Sequence, residues 1–170
     1  LGAELPAISA ALRSAQGVKG RVEVVPVPAA YTVLIDYAHT PDALENILTT
    51  VRDLTQRRVI CLFGCGGDRD RSKRPLMGAI AADLADLVIV TSDNPRTEDP
   101  QAILREILAG MEGTRTPVLV EPDRTAAIRL ALSRAQPGDL VLLAGKGHET
   151  YQEVGGVRLP LDEREVVASC

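Results

Sequence analysis

Four short apolar runs, at residues 31–36, 59–63, 87–91 and 140–144, divide the chain, each bounded by turn-forming residues. They alternate little between apolar and polar positions, as expected of strands buried on both faces of a parallel sheet. A weaker run at 117–120 supplies a fifth candidate strand. Between the runs the period changes to that of a helix. Over 41–54, Leu44, Ile47, Leu48, Val51 and Leu54 fall on one face. Pro41 suits the first turn there, and Thr40 the N-cap. Helical period returns over 75–84 (Leu76, Ile80, Leu84), over 99–111 (Ile103, Leu104, Ile107, Leu108, Met111) and over 123–136 (Ile128, Ala131, Leu132, Ala135), the last stopping at Pro137-Gly138. Such alternation predicts a Rossmann-like α/β fold: an open, mostly parallel sheet flanked by helices, with right-handed crossovers. Residues 21–27 read as an antiparallel edge strand, preceded by a short helix over 7–14. Residues 154–159 read as a hairpin around Gly155-Gly156, with a short helix from Asp162. No repeat or low-complexity segment interrupts the pattern.

Composition narrows the picture. Hydrophobic residues make up 45% of the 170, yet aromatics are only 2% and Trp is absent, so Leu, Ile, Val and Ala must build the core. The net charge is −4, and the one dense basic stretch, residues 69–74, is diluted by Asp68 and Asp70. Without a basic stripe or stacking aromatics, no nucleic-acid partner is expected; a small anion suits that stretch better. The three cysteines, Cys61, Cys65 and Cys170, form neither a CxxC pair nor a zinc pattern, which points to reduced thiols in the cytoplasm. No apolar run approaches the roughly 20 residues that span a bilayer, and no secretory signal stands at the start, so no membrane partner is expected. The chain opens on Leu1, which suggests part of a longer protein.

Ligands of open parallel sheets bind outside the carboxyl ends of the strands. There the chain places Asp36-Tyr37-Ala38-His39-Thr40-Pro41, then Gly64-Cys65-Gly66-Gly67-Asp68-Arg69-Asp70, then Ser92-Asp93-Asn94-Pro95-Arg96, and after the last run Gly145-Lys146-Gly147-His148-Glu149. Both histidines fall on this one edge. Singly, each cluster has a plain structural explanation. The glycine run could be a turn needing positive φ, Asp93-Asn94-Pro95 is a good turn sequence, and His39 or His148 could serve as cap or loop residues. Neither GxGxxG nor a Walker A loop occurs, which removes a dinucleotide-dependent dehydrogenase. Together the clusters describe a pocket. Arg69, Arg74 and Arg96 offer forked donors for carboxylate or phosphate, and Asp93 and Glu149 offer acceptors for an ammonium. Both kinds side by side match a zwitterion such as an amino acid. No nucleophile–base pair and no metal-ligand spacing stands out, so no catalytic residue and no metal ligand is assigned; binding and orientation are expected instead.

The four segments, with Lys73-Arg74-Pro75 following the second, resemble in order and spacing the C-terminal domain of the UDP-N-acetylmuramoyl-tripeptide synthetases of the Mur ligase family. The likeness runs from about Gly20 to the end. Residues 1–19 resemble the tail of a preceding central domain and hinge, and residues 20–170 the amino-acid-binding domain. The resemblance implies a cytoplasmic, monomeric three-domain ligase whose central ATPase domain binds ATP and most of the Mg2+ shell. It also implies that this domain contacts the central one and is inactive alone. The other substrates implied are meso-diaminopimelate and UDP-N-acetylmuramoyl-L-alanyl-D-glutamate. Asp36 and His39 match positions near the nucleotide. Arg69, Asp93, Asn94, Arg96, Gly145 and Glu149 match positions that bind diaminopimelate, Arg96 being the residue that distinguishes it from lysine. The competing readings are another ligase of the superfamily, folylpolyglutamate or cyanophycin synthetase-like, and a stand-alone amino-acid or nucleotide-binding module.

Overall fold

The computed structural model describes residues 2, 4–14 and 17–170. Helix α1 (Leu5–Ser14) precedes β1 (Glu23–Val25), β2 (Thr32–Asp36), α2 (Pro41–Leu54), β3 (Val59–Phe63), α3 (Lys73–Leu84) and β4 (Leu87–Val90). Then come α4 (Pro100–Ala109), β5 (Val118–Val120), α5 (Arg124–Arg134), β6 (Leu140–Ala144), the hairpin β7 (Tyr151–Val154) and β8 (Val157–Pro160), and α6 (Glu163–Ala168). Six strands form one sheet in the order β1-β2-β6-β3-β4-β5. Every neighbour pair is parallel except β1 with β2, so β1 is the antiparallel edge that the sequence predicts.

The unbroken apolar runs are explained by what covers them. On one face of the sheet Val59, Cys61, Phe63, Val88 and Val90 pack against Leu44, Ile47 and Leu48 of α2, Met77 and Ala81 of α3, and Ile103 and Ile107 of α4. On the other, Ile60, Leu62, Ile89 and Val141 pack against Ala127, Ile128 and Ala131 of α5 and Val167 of α6. The chain's own helices thus close both faces, as an independently folding domain requires. The helix starts are set by side-chain caps: the Thr40, Asp99, Asp123 and Asp162 oxygens accept backbone N–H groups of their own first turns. Among the described residues no helix is long and apolar enough to cross a membrane.

Two expectations are corrected. Helix α3 begins at Lys73, two residues earlier than its proline implied, because Pro75 still lies in the first turn, where no N–H is needed. Its buried face is Arg74, Met77, Gly78, Ala81 and Ala82, while Leu76, assigned to the core by its period, is exposed. Leu54, at the last turn of α2, is exposed as well.

Candidate amino-acid-binding site

The loops that leave β2, β3, β4 and β6 surround one cavity of about 480 Å³ at the carboxyl edge of the sheet. His39, Arg69, Asp93, Asn94, Arg96, Gly145 and Glu149 all line it. Asp36 does not. Its carboxylate accepts the Ala38 N–H at 2.8 Å and the Val22 N–H at 2.9 Å, tying the loop after β2 to the segment that enters β1. Val22, a β-branched residue, is held there at φ 44°.

The loop after β2 carries Tyr37 and His39. Their rings lie 4.6 Å apart, the His148 ring is 5.2 Å from that of Tyr37, and the Arg21 guanidinium is 5.1 Å from the Tyr37 ring. Burial, then the charges of Glu149 and Asp93, push the Tyr37 hydroxyl above its usual pKa of 10.0.

The glycines after β3 are not there for positive φ, since none of Gly64, Gly66 and Gly67 adopts it; Asp68 does, at 54°. They allow close approach instead. A Cβ on Gly67 would sit 2.0 Å from the Pro95 carbonyl oxygen, so a side chain would drive the loops after β3 and β4 apart. Arg69, beyond this run, is exposed and donates only to the Asp68 carbonyl. Arg74, grouped with it on sequence, is fully buried and does not line the cavity. Its guanidinium donates to Glu98 and Glu106 at 2.7–2.9 Å and to the Gly66 carbonyl. That pairing holds the Glu98 carboxyl down at about 2.

After β4, Asp93 and Asn94 turn inward and are nearly inaccessible. Arg96 stands at φ 51°, a left-handed backbone rare for a long side chain. The hairpin holds it there: the Arg96 N–H donates to the Glu153 carbonyl and the Gly155 N–H to the Arg96 carbonyl. Its guanidinium donates to the Gly67 carbonyl at 2.7 Å and lies 3.7 Å from the Glu153 carboxylate. Other N–H groups of the fork therefore remain for a ligand.

After β6, Gly145 turns the chain at φ 113°, which only glycine adopts freely, and brings Lys146 under the cavity floor. Lys146, Lys73 and Tyr37 belong to this site and were missed by motif reasoning. Lys73 lines the cavity and donates to the His39 carbonyl at 2.8 Å. The signal for Lys146 was a lysine between two glycines directly after a wholly apolar strand.

Over residues 20–147 the chain matches the family described as Mur ligase, glutamate ligase domain. It belongs to the Mur ligase family. The 2,6-diaminopimelate-adding UDP-N-acetylmuramoyl-L-alanyl-D-glutamate ligase of Synechococcus elongatus is 58% identical to this Mur ligase domain, over 97% of the chain and 33% of that protein. A solved structure of a ligase of the same name superposes with a TM-score of 0.83 at 44% identity, covering 99% of this chain and 34% of its own. The bifunctional folylpolyglutamate synthase/dihydrofolate synthase of Yersinia pestis, solved with AMPPNP and manganese, shares the fold at 21% identity and a TM-score of 0.66, over 87% of this chain and 33% of its own. The Mur ligase domain described here therefore spans about a third of the length of the ligases it matches.

Proposed function

We propose that this chain is the amino-acid-binding domain of an ATP-dependent ligase that joins meso-diaminopimelate to UDP-N-acetylmuramoyl-L-alanyl-D-glutamate. One observation carries the reading. The guanidinium groups of Arg69 and Arg96 and the carboxylates of Asp93 and Glu149 converge from separate loops on a single cavity, the complement of an amino-acid zwitterion.

In the reaction, ATP phosphorylates the γ-carboxylate of the D-glutamyl residue. One amine of diaminopimelate, in its unprotonated form, attacks the acyl phosphate carbon through a tetrahedral intermediate, and phosphate leaves with the C–O electron pair as the amide forms. The part of this domain is to hold the other, non-reacting end: Arg96 and Arg69 take carboxylate, and Glu149, Asp93, Asn94 and the backbone at Gly145 receive the ammonium. Closure over the central ATPase domain then brings the amine to the acyl phosphate and keeps water out. His39, exposed on the rim, faces the nucleotide. Asp36 acts on the same side through the loop that it ties down.

The Mg2+ ligands are assigned to the central ATPase domain, as the family resemblance implies. The ligase works as a cytoplasmic monomer. Lysine lacks the far carboxylate of diaminopimelate, so it leaves the remaining N–H groups of the Arg96 fork without a partner in a partly dry cavity. That costs about 1–3 kcal/mol, or roughly 5- to 150-fold in discrimination.

The test is ATP-dependent ligation by the full-length enzyme, comparing meso-diaminopimelate with L-lysine on the UDP-linked dipeptide. Preference for diaminopimelate is expected. Equal use of lysine removes the role of Arg96, and ligation of neither amino acid sinks the proposal. The 170-residue chain alone is expected to show no ligation.

A further inference from the structure

Lys146 has no exposed surface, and the reaction above gives it no part. Its ammonium donates to the Tyr151 carbonyl at 2.8 Å and to Asn94 Oδ1 at 3.0 Å. Asp93 Oδ1 stands 3.2 Å away and Glu149 Oε2 3.6 Å away. The Tyr151 ring centroid is 5.9 Å off. A methionine would fill the same length without desolvating an ammonium, and replacing buried charge by apolar groups of similar volume is often neutral or stabilising. Packing alone therefore gives no reason for a lysine here. Three of its four oxygen neighbours belong to the residues that meet the amino acid, and two consequences follow.

The first is orientation. Asn94 Oδ1 accepts from both Lys146 Nζ and the Glu153 N–H, the latter at 2.9 Å. Its NH2 group must then point the other way, where it donates to Glu149 Oε2 at 2.9 Å. A flipped carboxamide would face two donors with a third. Lys146 thus fixes which edge of Asn94 and which oxygen of Glu149 meet the cavity.

The second is charge. Asp93 and Glu149 bring two negative charges against this one ammonium, while Arg69, Lys73 and Arg96 line other parts of the same cavity. Asp93 Oδ1, close to the ammonium but off its hydrogen-bonding direction, is buried without a hydrogen bond.

We propose that Lys146 is a positioning residue for the amino-acid substrate: its ammonium sets Asn94 and Glu149 in receiving geometry and offsets part of the negative charge that Asp93 and Glu149 bring to the ammonium-binding side of the pocket. This rests on the reading of the cavity as the diaminopimelate site. Lys146 does not touch the reacting atoms; it acts through Asn94, Asp93 and Glu149.

Two measurements test it. In the full-length ligase, Lys146→Met is expected to raise the KM for diaminopimelate about tenfold or more, the effect of one misplaced charge-assisted hydrogen bond. The KM values for ATP and the UDP-linked dipeptide should stay within about twofold. An unchanged KM for diaminopimelate in a variant that melts like the wild type overturns the proposal. If that variant does not fold, the wild-type 170-residue chain decides by lysine 15Nζ spectra, since it holds only Lys19, Lys73 and Lys146. The protected Lys146 ammonium signal should move on addition of diaminopimelate, together with the backbone amides of residues 93–96. Amides that move while the ammonium stays still overturn the role of Lys146 and leave the binding site standing. Amides that do not move, with no use of diaminopimelate by the full-length enzyme, remove the site itself and the proposal with it.

Discussion

Two buried cations flank the cavity, and they differ in how their charge is met. On the α3–α4 side, Arg74 and Arg71 face Glu98 and Glu106, two positive charges against two negative. The charges cancel within the cluster, although the buried Arg74 Nε has no hydrogen-bond partner, and the cluster ties the start of α3 to α4 and to the loop after β3. On the β6 side, Lys146 faces Asp93 and Glu149, one against two. A buried carboxylate oxygen is left without a hydrogen bond, and the adjoining Arg96 is held in a left-handed backbone that costs about 1–2 kcal/mol. Burial alone therefore does not mark a binding site. What marks it is a cation outnumbered by the carboxylates it touches, a donor fork only partly used, and strain retained by the surrounding fold.

If that contrast holds, substitutions on the two sides must fail differently. The largest effect is expected from Arg74→Met, which strands two partly buried carboxylates. Breaking such a pair costs about 3 kcal/mol, a drop of roughly 6–12 °C in Tm for a chain of this size, readable by calorimetry. The pH dependence has a definite sign. Because Arg74 depresses the Glu98 carboxyl from its ordinary 4.5 to about 2, the stabilisation is fully present above pH 4.5 and fades as the pH falls toward 2. The wild type and the variant should therefore converge in stability over that window. A gap that stays constant down to pH 2 would mean that packing, not the ion pair, holds α3 to α4. The preference of the folded enzyme for diaminopimelate over lysine should not change.

Arg96→Gly is the opposite case. Relief of the left-handed strain, about 1 kcal/mol, offsets the lost hydrogen bond to Gly67, so the melting temperature should change little. Discrimination between diaminopimelate and lysine in the full-length ligase should nevertheless fall by roughly 5- to 150-fold. A variant that loses stability but keeps its discrimination would place Arg96 with Arg74 and erase the contrast.

Why these two arginines could not be told apart on sequence is instructive. The α/β frame was legible because local pattern dictates it. The wholly apolar runs at 59–63 and 140–144 became β3 and β6 at those bounds, and Thr40 with Pro41 marked the start of α2. The convergence of four polar loops also followed from sheet topology. The fate of Arg74 did not, because its glutamates lie 24 and 32 residues further along, on the approach to α4 and within it. Leu76 was misplaced for a related reason: the inward face of α3 turns on a buried arginine and on Gly78, neither of which registers as apolar period. Lys146 could not be placed on sequence, since its cage is assembled from residues 93, 94, 149 and 151 only once β4, β6 and the hairpin meet.

Smaller effects sharpen the comparison further. Glu149→Gln keeps the shape of the site and removes one of its two negative charges. The substrate ammonium then meets a neutral amide there, and the KM for diaminopimelate should rise about tenfold, the worth of a charge-assisted over a neutral hydrogen bond. Its Tm should stay close to the wild-type value. A larger loss of stability than of affinity would place Glu149 in the scaffold.

The smallest effect concerns a third buried ionisable group at the same cavity. Cys65 lines the wall, yet its surroundings are apolar: it packs in the core beneath α3, with its Sγ 3.7 Å from the Met77 sulfur. Burial pushes its thiol up to about 12, and that of Cys61 likewise. At pH 8 the thiolate share is then on the order of 1 in 10,000, too little for attack on an alkylating reagent. Only the exposed Cys170 should react in the native chain, and all three thiols after unfolding in urea. Adding diaminopimelate should change nothing, because Cys65, unlike Lys146, meets the cavity with no charge to balance. Rapid native labelling of Cys65, suppressed by the amino acid, would instead show that the loop after β3 opens and that the wall is less fixed than its glycine contacts require.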